Sequence, residues 1–235
     1  MNLFALADPH LGLTVDKPMH IFGAHWQNHE TLLRENWLDT VGLDDTVLIA
    51  GDISWAMHLR EVIADLRFLD QLPGEKILLR GNHDYWWASM NKLQELCERE
   101  DFRSLRFLRN NSLLLRNGDV VCGTRGWLLP DDPEFSADDL KIYQREIGRL
   151  DLSLQAASKI RREGSRLIAC LHYPPFNREY QPNEITDRLS AASADLCVYG
   201  HIHGERARSR PPVVIGPTKY YLTSADAIAF KPLRL

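Results

Sequence analysis

Short, almost wholly apolar runs alternate along this chain with stretches in which apolar residues recur every three or four positions. Asn2–Ala7, Val47–Ala50, Lys76–Leu79, Arg166–Leu171 and Leu196–Tyr199 are of the first kind, each bounded by polar or glycine-containing turns. Runs of that sort predict strands covered on both faces. Asn28–Thr40, Met57–Leu69 and Ala88–Arg99 are of the second kind and predict helices. Strand–helix–strand repetition implies an α/β fold, with a largely parallel sheet and helices packed outside it.

The middle of the chain changes character. Ser112–Arg116 and Asp119–Gly123 flank Asn117-Gly118, a dipeptide that tolerates the positive φ angles of a tight hairpin turn, so an antiparallel pair is expected there. Ser136 with Asp139 then supplies a helix-capping pair. Leu140, Tyr143, Ile147, Leu150 and Leu154 follow at helical spacing and form one apolar stripe. The C-terminal third turns β-rich again, with strands expected over Val213–Ile215, Lys219–Thr223 and Ala227–Leu233. Asp16–Trp26 and Pro174–Ser190 read as irregular segments, either lids and substrate walls or plain connections. With no internal repeat and no low-complexity linker, residues 1–235 are expected to form a single domain.

Composition narrows the function classes. Apolar residues make up 44% and charged residues 26% of the 235, which is an ordinary globular balance. No apolar run is long enough to span a bilayer, and the opening Met1–Ala7 lacks a basic leader, so no membrane partner and a cytoplasmic location are expected. The net charge of −4 argues against a module that grips nucleic acid through its phosphates, without excluding local basic patches. Cys97, Cys122, Cys170 and Cys197 are scattered, with no C-x-x-C pair, and are expected to be reduced structural thiols.

The chemistry sits where the strands end. The first expected strand runs into Asp8-Pro9-His10, the second into Gly51-Asp52 and the third into Gly81-Asn82-His83-Asp84; the fourth ends in His172 and the fifth in Gly200-His201-Ile202-His203. In a parallel sheet all five groups gather at one C-terminal edge, where open α/β sheets place their sites. Each group alone is unspecific, since Asp and Asn also cap helices and make turns. Together they put so many polar groups at the ends of apolar strands that burial without a compensating ion would be expensive. Oxygen and imidazole donors without thiolate suit Mn²⁺, Fe or Zn²⁺. There are more donors than one ion needs, and a pair of ions sharing a carboxylate suits phosphoryl chemistry.

Asp-x-His, Gly-Asp, Gly-Asn-His-Asp, a single His and Gly-His-x-His, in that order from Asp8 to His203, resemble the signature of the calcineurin-like metallophosphoesterase superfamily. The resemblance implies a four-layer α/β/β/α sandwich of two mixed β-sheets and a dinuclear metal centre, with manganese the first choice. It implies that Asp8, His10 and His203 hold one ion, that Asp52 bridges, and that Asn82, His172 and His201 hold the other. It leaves His83 facing the substrate as a catalytic residue, protonating the leaving alkoxide or donating a hydrogen bond to a phosphoryl oxygen. Asp84 either orients His83 or caps a helix beginning near Tyr85. The implied activity is hydrolysis of a phosphomonoester or phosphodiester, on a phosphorylated small molecule before nucleic acid.

One departure bears on the substrate. Protein Ser/Thr phosphatases of the superfamily continue Gly-Asp into a further Asp-Arg-Gly, whereas here Ile53-Ser54-Trp55-Ala56-Met57 follows. The phosphate-gripping Arg of that subgroup is missing, which weighs against a phosphoprotein. Arg125, in Gly123-Thr124-Arg125-Gly126-Trp127, is a candidate for the substrate phosphate, since a guanidinium suits bidentate contact; a carboxylate or backbone partner is the alternative. Arg206, Arg208 and Arg210 form either a positive rim or a solvated face. Trp86 and Trp87 line the pocket or pack in the core, and His25 and His29 are not needed as ligands. A non-catalytic scaffold for protein partners is the competing function class.

Overall fold

The computed structural model describes residues 1–208 and 211–235; Arg210 and the side chains of Arg206 and Arg208 lie outside the description. The chain runs β1 (Leu3–Leu6), α1 (His29–Thr40), β2 (Thr46–Ala50), α2 (Ile63–Gln71), β3 (Glu75–Leu79), α3 (Met90–Glu100) and β4 (Leu105–Leu108). A hairpin of β5 (Ser112–Leu114) and β6 (Val120–Thr124) leads into the long α4 (Ala137–Ile160) and β7 (Leu167–Leu171). There follow α5 (Glu184–Ala191), β8 (Leu196–Tyr199), the single turn α6 (Glu205–Arg208), β9 (Val213–Ile215), β10 (Thr218–Leu222) and β11 (Leu233–Arg234).

Two mixed sheets form. The first has the order β11-β1-β2-β3-β4 and the second β5-β6-β7-β8-β10-β9. In each, the inner strands are parallel and the added pairs β1–β11, β5–β6 and β9–β10 are antiparallel. Phe4, Leu6, Val47, Ile49 and Leu78 face Leu33, Trp37, Leu66 and Leu93 of α1–α3. Val120, Cys122, Leu167 and Ala169 face Tyr143, Ile147 and Leu150 of α4 and Ile185 and Leu189 of α5. Leu3, Ala5, Leu48, Ile77, Val121, Ile168 and Val198 fill the layer between the sheets. The result is the expected α/β/β/α sandwich, and it explains the continuous apolar runs: alternate side chains of one strand point into two different dry layers.

The expectation of a single gathering edge needs correction. The five chemical strand ends are divided, three on the first sheet and two on the second, so they meet face to face rather than side by side. Other elements also differ from expectation. β4 follows the polar stretch Glu98–Ser104 and carries Arg106 among its four residues, so its apolar signal was weak. Met57–Gln71 opens in turns, and the helix starts only at Ile63. The Pro174–Ser190 segment holds all but the last residue of α5, which Asn183 caps by accepting from the Ile185 and Thr186 amides. Ala227–Leu233 is mostly turn, with Ala229 and Phe230 at φ of 52° and 56°, and only Leu233–Arg234 pairs with β1. The Ser136–Asp139 capping box is present as expected. All four cysteines are free, with Cys97 half-buried and the others buried.

Lys76 fixes the entry to β3, the strand that delivers Asn82 and His83. Its side chain is fully buried, and Nζ donates to the carbonyls of Leu72 (2.5 Å), Gly74 (2.8 Å) and Asp70 (3.4 Å). Lys76→Met leaves those carbonyls without their donor and should cost about 2–4 kcal/mol. A urea unfolding midpoint equal to wild type would show that the bonds do not hold the turn.

Candidate metal centre

At the C-terminal strand ends the two sheets approach closely over glycines. A Cβ on Gly200 would lie 2.5 Å from both the Ala7 Cβ and Asp8 Oδ2. One on Gly51, whose φ is 93°, would lie 2.6 Å from His172 Nδ1 and 2.8 Å from the Gly81 Cα. Glycine at these positions lets the two sheets close on each other. His172, at the end of β7, then reaches across to the first sheet, its Nδ1 3.0 Å from the carbonyl of Ala50.

Backbone shape aims the side chains. Asp8, His10, Asp52 and His201 have φ of 56°, 46°, 50° and 71°. The left-handed region costs an ordinary L-residue about 1–2 kcal/mol, so surrounding contacts must hold these turns. They do: Asp8 N donates to the Gly51 carbonyl and His10 N to that of Asp52, while His201 N donates to Asp8 Oδ2 at 2.8 Å.

Two clusters result. Asp8, His10 and His203 each offer a donor atom, all within 4.8 Å of one another, and Asp52, His172 and His201 do the same. Asn82 joins the second, with Oδ1 2.6 Å from His172 Nε2 and 3.0 Å from His201 Nδ1. Asp52 lies between them, Oδ1 3.5 Å from His172 Nε2 and Oδ2 3.9 Å from His10 Nε2. Thus all seven side chains singled out as ligands come together.

The protonation states follow from burial. Burial, with the neighbouring His203 and His83, holds His10 well below the usual imidazole range. Burial and His172 push His201 down to about 3. Burial raises the Asp8 carboxyl, opposed by His203 and His172. His203 goes the other way: burial opposes its protonation, but the hydrogen bond to Asp226 and the charges of Asp8, Asp226 and Asp52 push it up to about 9.

The donor set fits metal ions. Asp8 Oδ1 is buried without a hydrogen-bond partner among the described residues, and His10 Nε2 and His203 Nε2 crowd to 3.4 Å. An orphaned carboxylate oxygen beside crowded imidazole nitrogens is the arrangement a cation relieves, and O/N donors without sulfur suit Mn²⁺, Fe or Zn²⁺.

A family model of calcineurin-like phosphoesterases matches residues 1–205. The chain belongs to this family of metal-dependent phosphoesterases. A phosphopantetheinyl hydrolase of Mycobacterium tuberculosis shares the fold with a TM-score of 0.61 at 13% identity, over 100% of this chain and 95% of that one. A protein of unknown function from Aquifex aeolicus aligns with a TM-score of 0.52 at 16% identity, over 99% of this chain and 95% of the other. The Gene 66 protein of Mycobacterium phage L5 is 34% identical over 83 residues, which span 35% of this chain and 40% of that relative's length.

Within this calcineurin-like site His83 stands apart from both clusters. Its amide donates to Asp52 Oδ1 (2.8 Å), and its half-exposed ring keeps Nε2 3.9 Å from Asp52 Oδ2. Burial lowers its pKa, opposed by Asp52. Asp84 does neither thing expected of it. Its Oδ1 accepts from Ile53 N (2.9 Å), Ser54 N (3.1 Å) and Trp86 Nε1 (3.0 Å), and Oδ2 from Gly81 N (2.7 Å). It therefore ties the Asp52 loop to the Asn82 loop and does not reach the His83 ring, while the next helix starts only at Met90 under a Ser89 cap. Burial and Asp52 push its carboxyl up to about 7.

Arg125 is mostly enclosed, with its guanidinium 4.4 Å over the Trp127 ring and 3.8 Å from Glu146. Its carbonyl accepts from His172 N and Tyr173 N, so its backbone helps position the His172 side chain. Trp86 and Trp87 pack in the core. His29 is also internal, its ring between the carbonyls of Trp26 and His10, and His25 lies 3.8 Å from Asp226.

Three neighbours of the site were not foreseen. Trp55 stacks on His10 (4.8 Å, 16°) and meets His83 at 4.5 Å; in the sequence it is marked only by its place just after Gly51-Asp52. Tyr173 lies 4.2 Å from the His201 ring, and its position directly after His172 was the available signal. Asp226 is buried and accepts from His203 Nδ1 (2.9 Å) and Gly204 N (2.8 Å), but no motif marks it.

A carboxylate behind a ligating imidazole fixes its ring and raises its basicity, and losing it commonly costs 10–100-fold in metal affinity. Asp226→Asn should therefore weaken Mn²⁺ binding by about that factor in calorimetric titration. Unchanged affinity would mean that Asp226 only packs against the ring.

Proposed function

We propose that the chain is a dinuclear phosphoesterase, hydrolysing a phosphate mono- or diester of a small molecule with water. The observation that carries this is the placement of Asp52, one oxygen toward His172 and the other toward His10, between two clusters that each offer a full set of donors. Asp8, His10 and His203 would hold one ion, Asn82, His172 and His201 the other, and Asp52 both. Bound there, the ions would lower the pKa of an attacking water and offset charge on the phosphoryl oxygens.

The chain's own groups do the rest. The bond from His172 Nδ1 to the Ala50 carbonyl leaves Nε2 free to ligate, and Asp226 does the same for Nε2 of His203. The Trp55 stack sets the angle of the His10 ring and leaves His83 beside it, half-exposed. From there His83 donates an N–H to a phosphoryl oxygen or a proton to the departing alkoxide. The side chain of Arg125 remains the candidate for a non-reacting phosphoryl oxygen, and manganese the first metal to try. A cytoplasmic setting is part of the proposal, supported by the four free cysteines. Among the described residues no helix is long and apolar enough to cross a membrane.

The test is hydrolysis of p-nitrophenyl phosphate and bis(p-nitrophenyl) phosphate by Mn²⁺-loaded protein. His83→Ala should keep its metal content and lose about 10²–10⁴-fold in kcat on the better substrate. Activity unchanged in that variant would remove His83 from the chemistry. Metal-loaded protein inert on both esters would favour the non-catalytic scaffold.

A further inference from the structure

A groove of about 530 Å³ opens directly from His201 and His203 and runs between the segment after β6 and the segment after β7. Its floor is aromatic: Trp127, Tyr173 and Phe176 line it. That floor is built rather than incidental. Trp127 Nε1 donates to Asp139 Oδ1 (2.8 Å) in the capping turn of α4, and Arg125 covers the ring. Tyr173 and Phe176 are buried, and Asn177 Nδ2 bridges the two walls by donating to Asp131 Oδ2 (2.6 Å).

The rim has a single dominant sign. Asp131, Asp132, Glu134 and Glu179 line the groove, with Arg178 the one guanidinium among its described lining residues. Asp132 spends an oxygen on the Glu134 amide, and Asp131 on Asn177, but both keep their charge. The other titratable groups lining the groove are Tyr173, whose phenol burial keeps neutral, and His201 and His203 of the ligand clusters; the Arg125 guanidinium, 3.8 Å from Glu146, lies over one face of Trp127. A second phosphate or carboxylate placed in the groove would meet this field, whereas an apolar body would lie against the aromatic floor and an ammonium would be attracted by the rim carboxylates.

We propose that this groove receives the organic part of the ester and selects substrates whose organic part carries no second negative charge, with a primary amine or quaternary ammonium bound best. The proposal rests on the phosphoesterase function and adds a substrate class to it: esters of neutral or cationic alcohols rather than nucleotide polyphosphates, nucleic acid or phosphorylated acids.

The test compares phenyl phosphates bearing a p-aminomethyl or a p-carboxymethyl group, with unsubstituted phenyl phosphate as reference. Each is offered as the monoester or methyl diester, whichever class the Mn²⁺-loaded protein turns over. The ammonium compound should exceed the carboxylate in kcat/KM by roughly tenfold at low salt, through KM, and the ratio should shrink as salt screens the rim. The variant Asp131→Asn/Glu134→Gln/Glu179→Gln should bring the ratio to within about twofold of unity. Calorimetric binding of the matching benzylphosphonates should show the same order without turnover. Hydrolysis of phenyl phosphate with no charge preference, or a preference the variant retains, would overturn the groove's role and leave the phosphoesterase intact. No hydrolysis of any of these esters, with no phosphonate binding, would overturn both.

Discussion

Asp8, Asp52, His10 and His172 are almost wholly closed to solvent between two β-sheets, and everything else in this protein is arranged around that fact. An ionised carboxylate taken out of water costs several kcal/mol even after relaxation, and protein groups alone do not supply the return here. The imidazoles crowd one another, His10 against His203 and His172 against His201, and one oxygen of Asp8 has no hydrogen-bond partner among the described residues. Under the proposed reading, cations shared through Asp52 would turn each of these costs into a bond. The family to which the chain belongs is metal-dependent, so the burial and the metal are two sides of one constraint.

That constraint reaches outward through the backbone. Side chains from five loops meet in one place; the sheets can come that close only because Gly51 and Gly200 present no Cβ there, and the Asp52 and Asn82 loops can cross only because Gly81 has none. Four left-handed residues turn the side chains inward, and the Asp84 carboxylate ties two of the loops together with three backbone bonds. Asp84 was expected either to orient His83 or to cap a helix beginning near Tyr85. It acts on the site by holding Gly81 and Ile53 in place.

Much of this was legible in the sequence because the two signals coincide: apolar runs mark strands, and polar residues crowd their C-terminal ends. The five central strands and α1 and α3 follow from periodicity to within two residues at their ends. Composition hid β4, whose four residues include Arg106. The split of the strand ends over two sheets was not legible from apolar runs alone, because strands covered on both faces look the same in one sheet as in two. The site's second layer was hidden for another reason. Asp226 lies 23 positions from His203, and Trp55 fits no ligand pattern, so only the folded chain brings them to the imidazoles. Pro174–Ser190 looked irregular because its prolines and Asn183 precede α5, and the same stretch supplies one wall of the groove beside the metal centre.

The central claim is that two clusters, joined by Asp52, hold two ions. The most direct measurement is the stoichiometry of Mn²⁺ rebinding to chelator-stripped protein, by equilibrium dialysis, for wild type and for His201→Ala. Two ions per chain in wild type, and one retained in the variant, is the predicted result. A single ion in wild type, or none, would contradict the account.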